Sequence, residues 1–429
     1  MNATLVVEPL RRPPDVRVVL PGSKSLTNRA LVCAATADGD STLENALLAD
    51  DTEAMIGCLR ALGIHVAVDD EHGPPRVAVR GTRGLVPAGP ASLHARLSGT
   101  TSRFVAPLLA CGTGRYVLDG DPPLRARPMG PLVDALRGLG ASVDELGEAG
   151  HLPIAVVPGD PADGAEVELP GDVSSQFLSG LLLVAPLRPG GLAITLTTDL
   201  VSRPYVEMTL GVMSDFGVTA DADMGRRRFS VPRARYRGRV FAIEPDASAA
   251  SYFFAAAAVS GGRVRIDGLS GTSRQGDVAF VDVLERMGAR VERGPDFVEV
   301  RGTGALHGVD VDLRDISDTA QTLAAAAVFA DSPTRITGIG FIRGKETDRI
   351  GNLVRELQRC GIEALEEADG LVVHPGAPQP ARIETYDDHR MAMSFAVIGL
   401  RAPGIEIADP GCVAKTFPEF WSVLDRLRL

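Results

Sequence analysis

The 429-residue chain carries 55 acidic against 44 basic residues, a net charge of −11, with 45% hydrophobic residues and only 5% aromatics. That acidity disfavours nucleic acid or an anionic membrane as the main partner, so an anionic small molecule would need a local basic patch. The length exceeds what one core serves, and two domains of about 200 residues each are expected. Five scattered cysteines, Cys33, Cys58, Cys111, Cys360 and Cys412, have no metal or redox spacing and read as free thiols. With apolar runs too short to span a bilayer, this predicts a cytoplasmic location.

In chain order the first strong signal is Gly22-Ser23-Lys24-Ser25-Leu26-Thr27-Asn28-Arg29. The branched run Val16, Val18, Val19, Leu20 before it reads as a strand, broken by Pro21 and Gly22. Leu26, Ala30, Cys33, Ala34 and Ala37 then recur on one helical face until Gly39. A serine cap, free first-turn amides and two cations suit an anion, although an ordinary capped helix with solvated charges reads the same way. A Walker loop is excluded, since Ser23 precedes Lys24 and the motif's earlier glycine would fall on Val18.

Helix endings of one type then recur at Gly63, Gly140, Gly217, Gly288 and Gly361, spaced by roughly 71 to 77 residues, each followed by a β-branched residue. A second series of helices starts near Ser25, Thr100, Ser174, Ala247, Asp318 and Asp388, and each is nearly apolar after its first turn. A helix apolar on all sides is an internal one, whereas the amphipathic first series belongs outside. Short alternating runs such as Arg76 to Val79, Tyr116 to Leu118, Leu192 to Leu196 and Leu371 to Val373 read as the strands between them. The predicted unit is therefore strand, buried helix, strand, outer helix and two more strands, six times over. Three units per domain place one domain at residues 22–242 and the other at residues 1–21 plus 243–429. Hinge crossings fall near 20–22 and 242–246, and residues 1–20 are expected to complete the sixth unit.

Unusual polar residues gather at the beginnings of these helices. They include Lys24-Ser25, Ser98-Gly99-Thr100, Arg125-Arg127, Ser174-Ser175-Gln176, Ser202 with Tyr205, Asp318, Lys345-Glu346 with Arg349, Asp388-His389-Arg390, and Lys415. If the helices of one series run the same way in each domain, their positive ends converge on a cleft between domains that suits multiply anionic ligands. Singly, each cluster is better explained as structural, a cap or a helix start; the recurrence at equivalent positions shifts the balance toward a site. None of the seven histidines sits at ligand spacing, so neither a metal nor a cofactor is expected, and His389 is the histidine placed at a site. No nucleophile elbow or catalytic cysteine context appears, which disfavours covalent catalysis.

Assembled, these segments resemble the 5-enolpyruvylshikimate-3-phosphate synthases of the enolpyruvyl transferase family. The match runs end to end, through Leu20-Pro21-Gly22-Ser23-Lys24-Ser25 with Asn28-Arg29, Gly99-Thr100 with Arg103, Arg127-Pro128, Ser174-Ser175-Gln176 and Ser202 with Pro204-Tyr205. It continues through Asp246-Ala247-Ser248, Gln275-Gly276-Asp277, Lys345-Glu346-Thr347-Asp348-Arg349, Asp388-His389-Arg390 and Lys415-Thr416. The resemblance implies an inside-out, barrel-like α/β fold of two domains, each of three βαβαββ units with buried helices. It implies transfer of the enolpyruvyl group of phosphoenolpyruvate to the 5-hydroxyl of shikimate 3-phosphate, with release of phosphate, on the route to chorismate and aromatic amino acids. By the same match Lys24, Ser25, Arg29, Ser174, Ser175, Gln176, Ser202, Tyr205, Asp318 and Lys345 hold shikimate 3-phosphate. Lys24, Gly99, Arg127, Gln176, Arg349, Arg390 and Lys415 hold phosphoenolpyruvate, and Lys24, Asp318 and Glu346 move the protons. The implied protein is a monomer that closes its domains on its substrates; inhibition by glyphosate is expected to compete with phosphoenolpyruvate, the degree of sensitivity being left open. Three positions depart from the family pattern: Leu97-Ser98 replaces a common asparagine, Phe104 a proline, and Phe341 another asparagine.

Two other readings remain open from the sequence. The sister transferase acting on UDP-N-acetylglucosamine shares the architecture but normally carries a reactive cysteine in a mobile loop, and none lies near Arg127. A silent anion-binding protein would need the cations but not Asp318 and Glu346.

Overall fold

The structure is a computed structural model that describes residues 4–71, 73–160 and 164–428. Residues 1–3 and 429, the outermost positions of the second predicted domain, lie outside the described residues. The chain divides into two compact units, residues 22–243 and residues 1–21 with 244–429.

In residues 22–243 three helices form the interior: Lys24–Thr36, Gly99–Leu109 and Ser175–Val184. Every residue of Gly99–Leu109 is buried, as its all-round apolar pattern requires. Around them stand three four-stranded sheets built alike. In the second, Ala91–His94 runs parallel to Tyr116–Asp119 across the buried helix, and Ile154–Val157 and Ser142–Glu145 add on antiparallel. The outer helices Asp50–Ala61, Gly130–Gly138 and Arg203–Asp215 each precede the last two strands of their sheet. Gly63, Gly140 and Gly217 take φ values of 83°, 91° and 89°, so the left-handed turn expected after each outer helix is present and favours a residue without a Cβ.

Residues 1–21 with 244–429 repeat the plan around the buried helices Ala247–Ser260, Ala320–Ala327 and His389–Gly399. Gly288 and Gly361 again turn with φ 107° and 75°. The third sheet has three strands, Ala381–Ile383 parallel to Ile405–Ala408, and Thr4–Val7 antiparallel to the latter.

One expectation is corrected by this topology. Residues 1–20 do not all complete the sixth unit: Thr4–Val7 joins the sixth sheet, but Asp15–Val18 pairs in parallel with Arg263–Asp267 and leads the fourth. The reciprocal strand Val240–Ala242, which precedes the fourth buried helix in sequence, pairs in parallel with Asp40–Glu44 in the first sheet. The leading strands of units one and four are thus exchanged. A parallel strand–helix–strand unit needs some leading strand, and the chain crossings supply it from the other end of the sequence.

Candidate active site

In residues 22–243 the buried helices present their starts together. Ser23, Ser98 and Ser174 are their N-caps and accept hydrogen bonds from the amides of Leu26, Thr101 and Gln176 respectively. Each cap satisfies one first-turn amide while the positive helix end remains. Gln176 locks two starts to each other: its Oε1 accepts from Arg103 Nη1 at 2.5 Å and its Nε2 donates to Thr100 Oγ1 at 3.0 Å. Arg103 Nη2 also donates to Pro128 O at 3.2 Å, which fixes the segment carrying Arg127. The buried guanidinium of Arg127 lies on Gly99, where an added Cβ would stand 2.8 Å from Nη1. Glycine is therefore what allows that cation to lie flat against the helix start.

Lys24 Nζ lies 3.1 Å from Asp51 Oδ2, with 15% of the lysine side chain exposed. Ser175 and Ser202 are buried at neighbouring starts, and Ser202 holds a left-handed φ of 52° ahead of the helix that carries Tyr205. Arg29 is placed deeper than the others. Its Nε donates to Thr209 Oγ1 at 2.7 Å, and the two Nη groups donate to Ser25 O, Tyr205 O and Ser179 Oγ. Its guanidinium also lies 5.2 Å from the Phe104 ring and 5.9 Å from the Tyr205 ring. Burial lowers its pKa to about 10, so it remains a cation at neutral pH. Phe104, one of the three departures, thus serves as the floor under this arginine.

In residues 1–21 with 244–429 the corresponding starts carry an interlocked set of charges. Arg349 Nε and Nη2 grip the two oxygens of Asp388 at 2.7 and 3.2 Å, a bidentate fork. Its Nη1 reaches Asp318 Oδ1 at 3.2 Å and its Nη2 lies 2.8 Å from Glu346 Oε2. Asp318 also accepts from Arg390 Nη2 at 2.6 Å, and Lys415 Nζ stands 3.9 Å from Glu346 Oε1. Three carboxylates meet three cations, with the Arg349 side chain 3% and Asp388 0% exposed. Burial works against the charge on Arg349, but Asp388, Glu346 and Asp318 raise its pKa above the ordinary arginine value. Lys345 Nζ lies 5.8 Å from the ring of Phe341, so the aromatic that replaces the family's asparagine offers a cation–π face in place of an amide.

His389 is buried, with Nδ1 3.5 Å from Asp388 Oδ1. Behind this set lies Asp277, whose Oδ2 accepts a hydrogen bond from Ser248 Oγ. Desolvation first, and then the charge of Asp318, push the Asp277 carboxyl well above the usual aspartate range.

The structure gathers Lys24, Ser25, Gly99, Arg127, Ser174, Ser175, Gln176, Ser202 and Tyr205 in one unit, with Arg29 beneath them. It gathers Asp318, Lys345, Glu346, Arg349, Arg390 and Lys415 in the other. Sequence reasoning passed over Asp51 and Asp388 as side-chain partners because each sits where a cap belongs. Asp388 is indeed the cap of its helix, accepting from Arg390 N at 2.9 Å, while it also holds Arg349.

Comparison with known proteins agrees with this geometry. Residues 13–424 match the family described as EPSP synthase (3-phosphoshikimate 1-carboxyvinyltransferase). The chain is 46% identical over 419 residues to the 3-phosphoshikimate 1-carboxyvinyltransferase of Trichormus variabilis, covering 98% of each chain. It is 47% identical over 420 residues to that of Nostoc punctiforme, again covering 98% of each. Among solved structures, EPSP synthase from Acinetobacter baumannii superposes with a TM-score of 0.82 at 26% identity, covering 99% of this chain and 98% of that one. The chain belongs to the EPSP synthase family.

Proposed function

We propose that this protein transfers the enolpyruvyl group of phosphoenolpyruvate to the 5-hydroxyl of shikimate 3-phosphate and releases phosphate, as a 3-phosphoshikimate 1-carboxyvinyltransferase. The observation that carries the reading is the presence, in a chain of this family, of two unlike sets of helix starts, one in each unit. One set offers Lys24, Gln176 and Arg127; the other holds Asp318 and Glu346 between cations. The reaction needs both kinds of group on one pair of substrates. Two anionic substrates need fixed donors, and the acceptor hydroxyl and the methylene carbon need a base and an acid.

In this reading the Ser174-Ser175-Gln176 start, Ser25, Ser202, Tyr205 and Lys345 hold shikimate 3-phosphate. Arg29 has four hydrogen bonds on its five N–H groups, which leaves one for the same ligand. Arg127, Gly99, Gln176, Arg349, Arg390 and Lys415 hold phosphoenolpyruvate, since planar guanidinium forks suit carboxylate and phosphate. Asp318 takes the proton of the 5-hydroxyl. Lys24 and Glu346 serve protonation of the methylene carbon and departure of phosphate from the tetrahedral intermediate. That the protein works as a monomer in the cytoplasm is part of the proposal; no helix among the described residues is long and apolar enough to cross a membrane.

The deciding experiment measures phosphate release from purified protein given phosphoenolpyruvate with shikimate 3-phosphate or with UDP-N-acetylglucosamine. Release with the first acceptor alone is expected. Release with the second alone, or with neither, overturns the proposal.

A further inference from the structure

The three buried helices of residues 22–243 also end together, and what lies beyond their ends is not packed shut. A cavity of about 730 Å³ opens there, lined by Arg83-Gly84, whose amides donate to Ala37 O and Thr36 O at the end of the first helix, and by the turns that follow the other two, Cys111 to Gly114 and Leu187-Arg188. Helices of 10 to 13 residues separate it from the candidate active site, a distance of roughly 15–20 Å at 1.5 Å per residue. The volume lies within the range of small-molecule sites, about 300–1,000 Å³.

Its lining is basic in a chain that is acidic overall. Among the described residues Arg83, Arg188, Arg233 and Arg235 face it against one carboxylate, Asp160. Asp38 stands nearby, yet Arg83 at 3.2 Å and Arg235 at 4.0 Å share it. Arg188 is the informative residue. It is 4% exposed, its Nη2 donates to Leu139 O at 3.0 Å, and its buried Nε has no acceptor. No carboxylate lies within ion-pairing distance of it among the described residues; its neighbour in the cavity wall is the Cys111 thiol. A buried guanidinium without an anion is costly, and here it borders empty volume.

The wall is also held in place. Tyr116 OH donates to Pro87 O at 2.6 Å and accepts from Thr113 N at 3.0 Å, so the Cys111 to Gly114 turn is fixed by a buried ring. Ala234 N donates to Pro186 O at 3.1 Å, which ties the Arg233–Arg235 segment to the end of the third helix.

Cations beyond helix C-termini commonly do no more than offset the carbonyl dipoles. The second unit shows what that task takes. At the same ends of its buried helices Arg401 donates to Val259 O and lies 4.9 Å from the Phe329 ring. There an arginine spans a helix-end carbonyl and an aromatic ring; here four arginines border a void.

We propose that this cavity binds a small, multiply charged oxyanion, a phosphate ester or a polycarboxylate, with Arg188 as its buried anchor and Arg233 and Arg235 as its exposed arm. The proposal does not depend on the enolpyruvyl reading, because none of these residues belongs to the helix-start sets. The test is calorimetric titration of the full-length protein with inorganic pyrophosphate and, separately, with citrate. It is run on the wild type, on Arg188→Gln, on the surface double variant Arg233→Ala/Arg235→Ala, and on Lys24→Met/Arg127→Ala. Binding by at least one probe is expected to survive in the last variant and to weaken at least about tenfold in the first two, as loss of charge-assisted contacts predicts. Which probe binds tells phosphate from carboxylate chemistry. The exposed double variant keeps the test valid should Arg188→Gln unfold. Binding unaffected by the arginine substitutions, binding lost only with Lys24 and Arg127, or no binding of either probe in the millimolar range overturns the proposal.

Discussion

Residues 22–243 and residues 1–21 with 244–429 build the same frame of three buried helices, yet they charge its helix starts in opposite ways. The first begins its helices with hydroxyls, an amide and cations, and the Lys24 ammonium meets a carboxylate oxygen of Asp51. The second knots Asp318, Glu346 and Asp388 to Arg349, Arg390 and Lys415. The first arrangement keeps positive potential for an anion to use. The second neutralises itself, at a desolvation cost, and gains fixed orientation of its acids and bases. In the proposed reaction the same scaffold then supplies most of the anion-holding donors and Lys24 in one unit, and the paired carboxylic acids in the other.

The contrast breaks most visibly at Asp388. Replacing it by asparagine keeps the shape but leaves the Arg349 fork without its carboxylate, in surroundings where both side chains are almost fully buried. Removal of one partner of a buried pair costs about 3–5 kcal/mol. Asp388→Asn is therefore expected to lower the urea midpoint by a corresponding amount and to abolish phosphate release. A variant as stable as the wild type would mean the network is ornamental.

Lys24→Met probes the opposite unit and should show the opposite pattern. A general acid–base or charge-stabilising role is worth about 10²–10⁴ in rate, so turnover should fall at least a hundredfold. Stability should change little, by about 1 kcal/mol, because the lysine is partly exposed and Asp51 remains in the first turn of its helix. Phosphate release and urea midpoints on one preparation decide it. A variant that unfolds like Asp388→Asn, or one that turns over at the wild-type rate, breaks the proposed division of labour.

How legible these features were in the chain follows the range of the signals. Buried helices announce themselves locally, by runs such as Phe104 to Leu109 and Leu323 to Ala327, and the glycine after each outer helix does so too. The exchange of leading strands was hidden, because Asp15–Val18 and Val240–Ala242 are four- and three-residue runs whose partners are chosen by topology. At the helix starts the cations could be read from motifs, but their partners could not. Asp388 lies 39 residues from Arg349, and nothing in its neighbourhood distinguishes a cap from a cap that also holds a guanidinium. Arg29 shows the reverse: its motif pointed outward to a ligand, while packing under Phe104 and Tyr205 turns it chiefly inward.

The last effect sharpens the comparison through pH. The carboxylate-rich unit also holds Asp277, raised to about 7 by burial and by the charge of Asp318. A carboxyl whose pKa is higher folded than unfolded keeps a proton that the unfolded chain gives up. Stability is then greatest below the ordinary aspartate range, falls as pH rises from about 4 toward 7, and levels off above that. One unit of pKa shift corresponds to about 1.4 kcal/mol. Asp277→Asn removes the titration and keeps a group that can bond Ser248. Relative to the wild type, the variant should therefore gain stability between pH 4.5 and 7.5, by about 1.4 kcal/mol for each pH unit crossed below 7. Urea midpoints at the two pH values measure the difference. A relative stability that stays flat, or that moves the other way, would show that Asp277 is ionised in the folded protein and that both units keep their carboxylates charged.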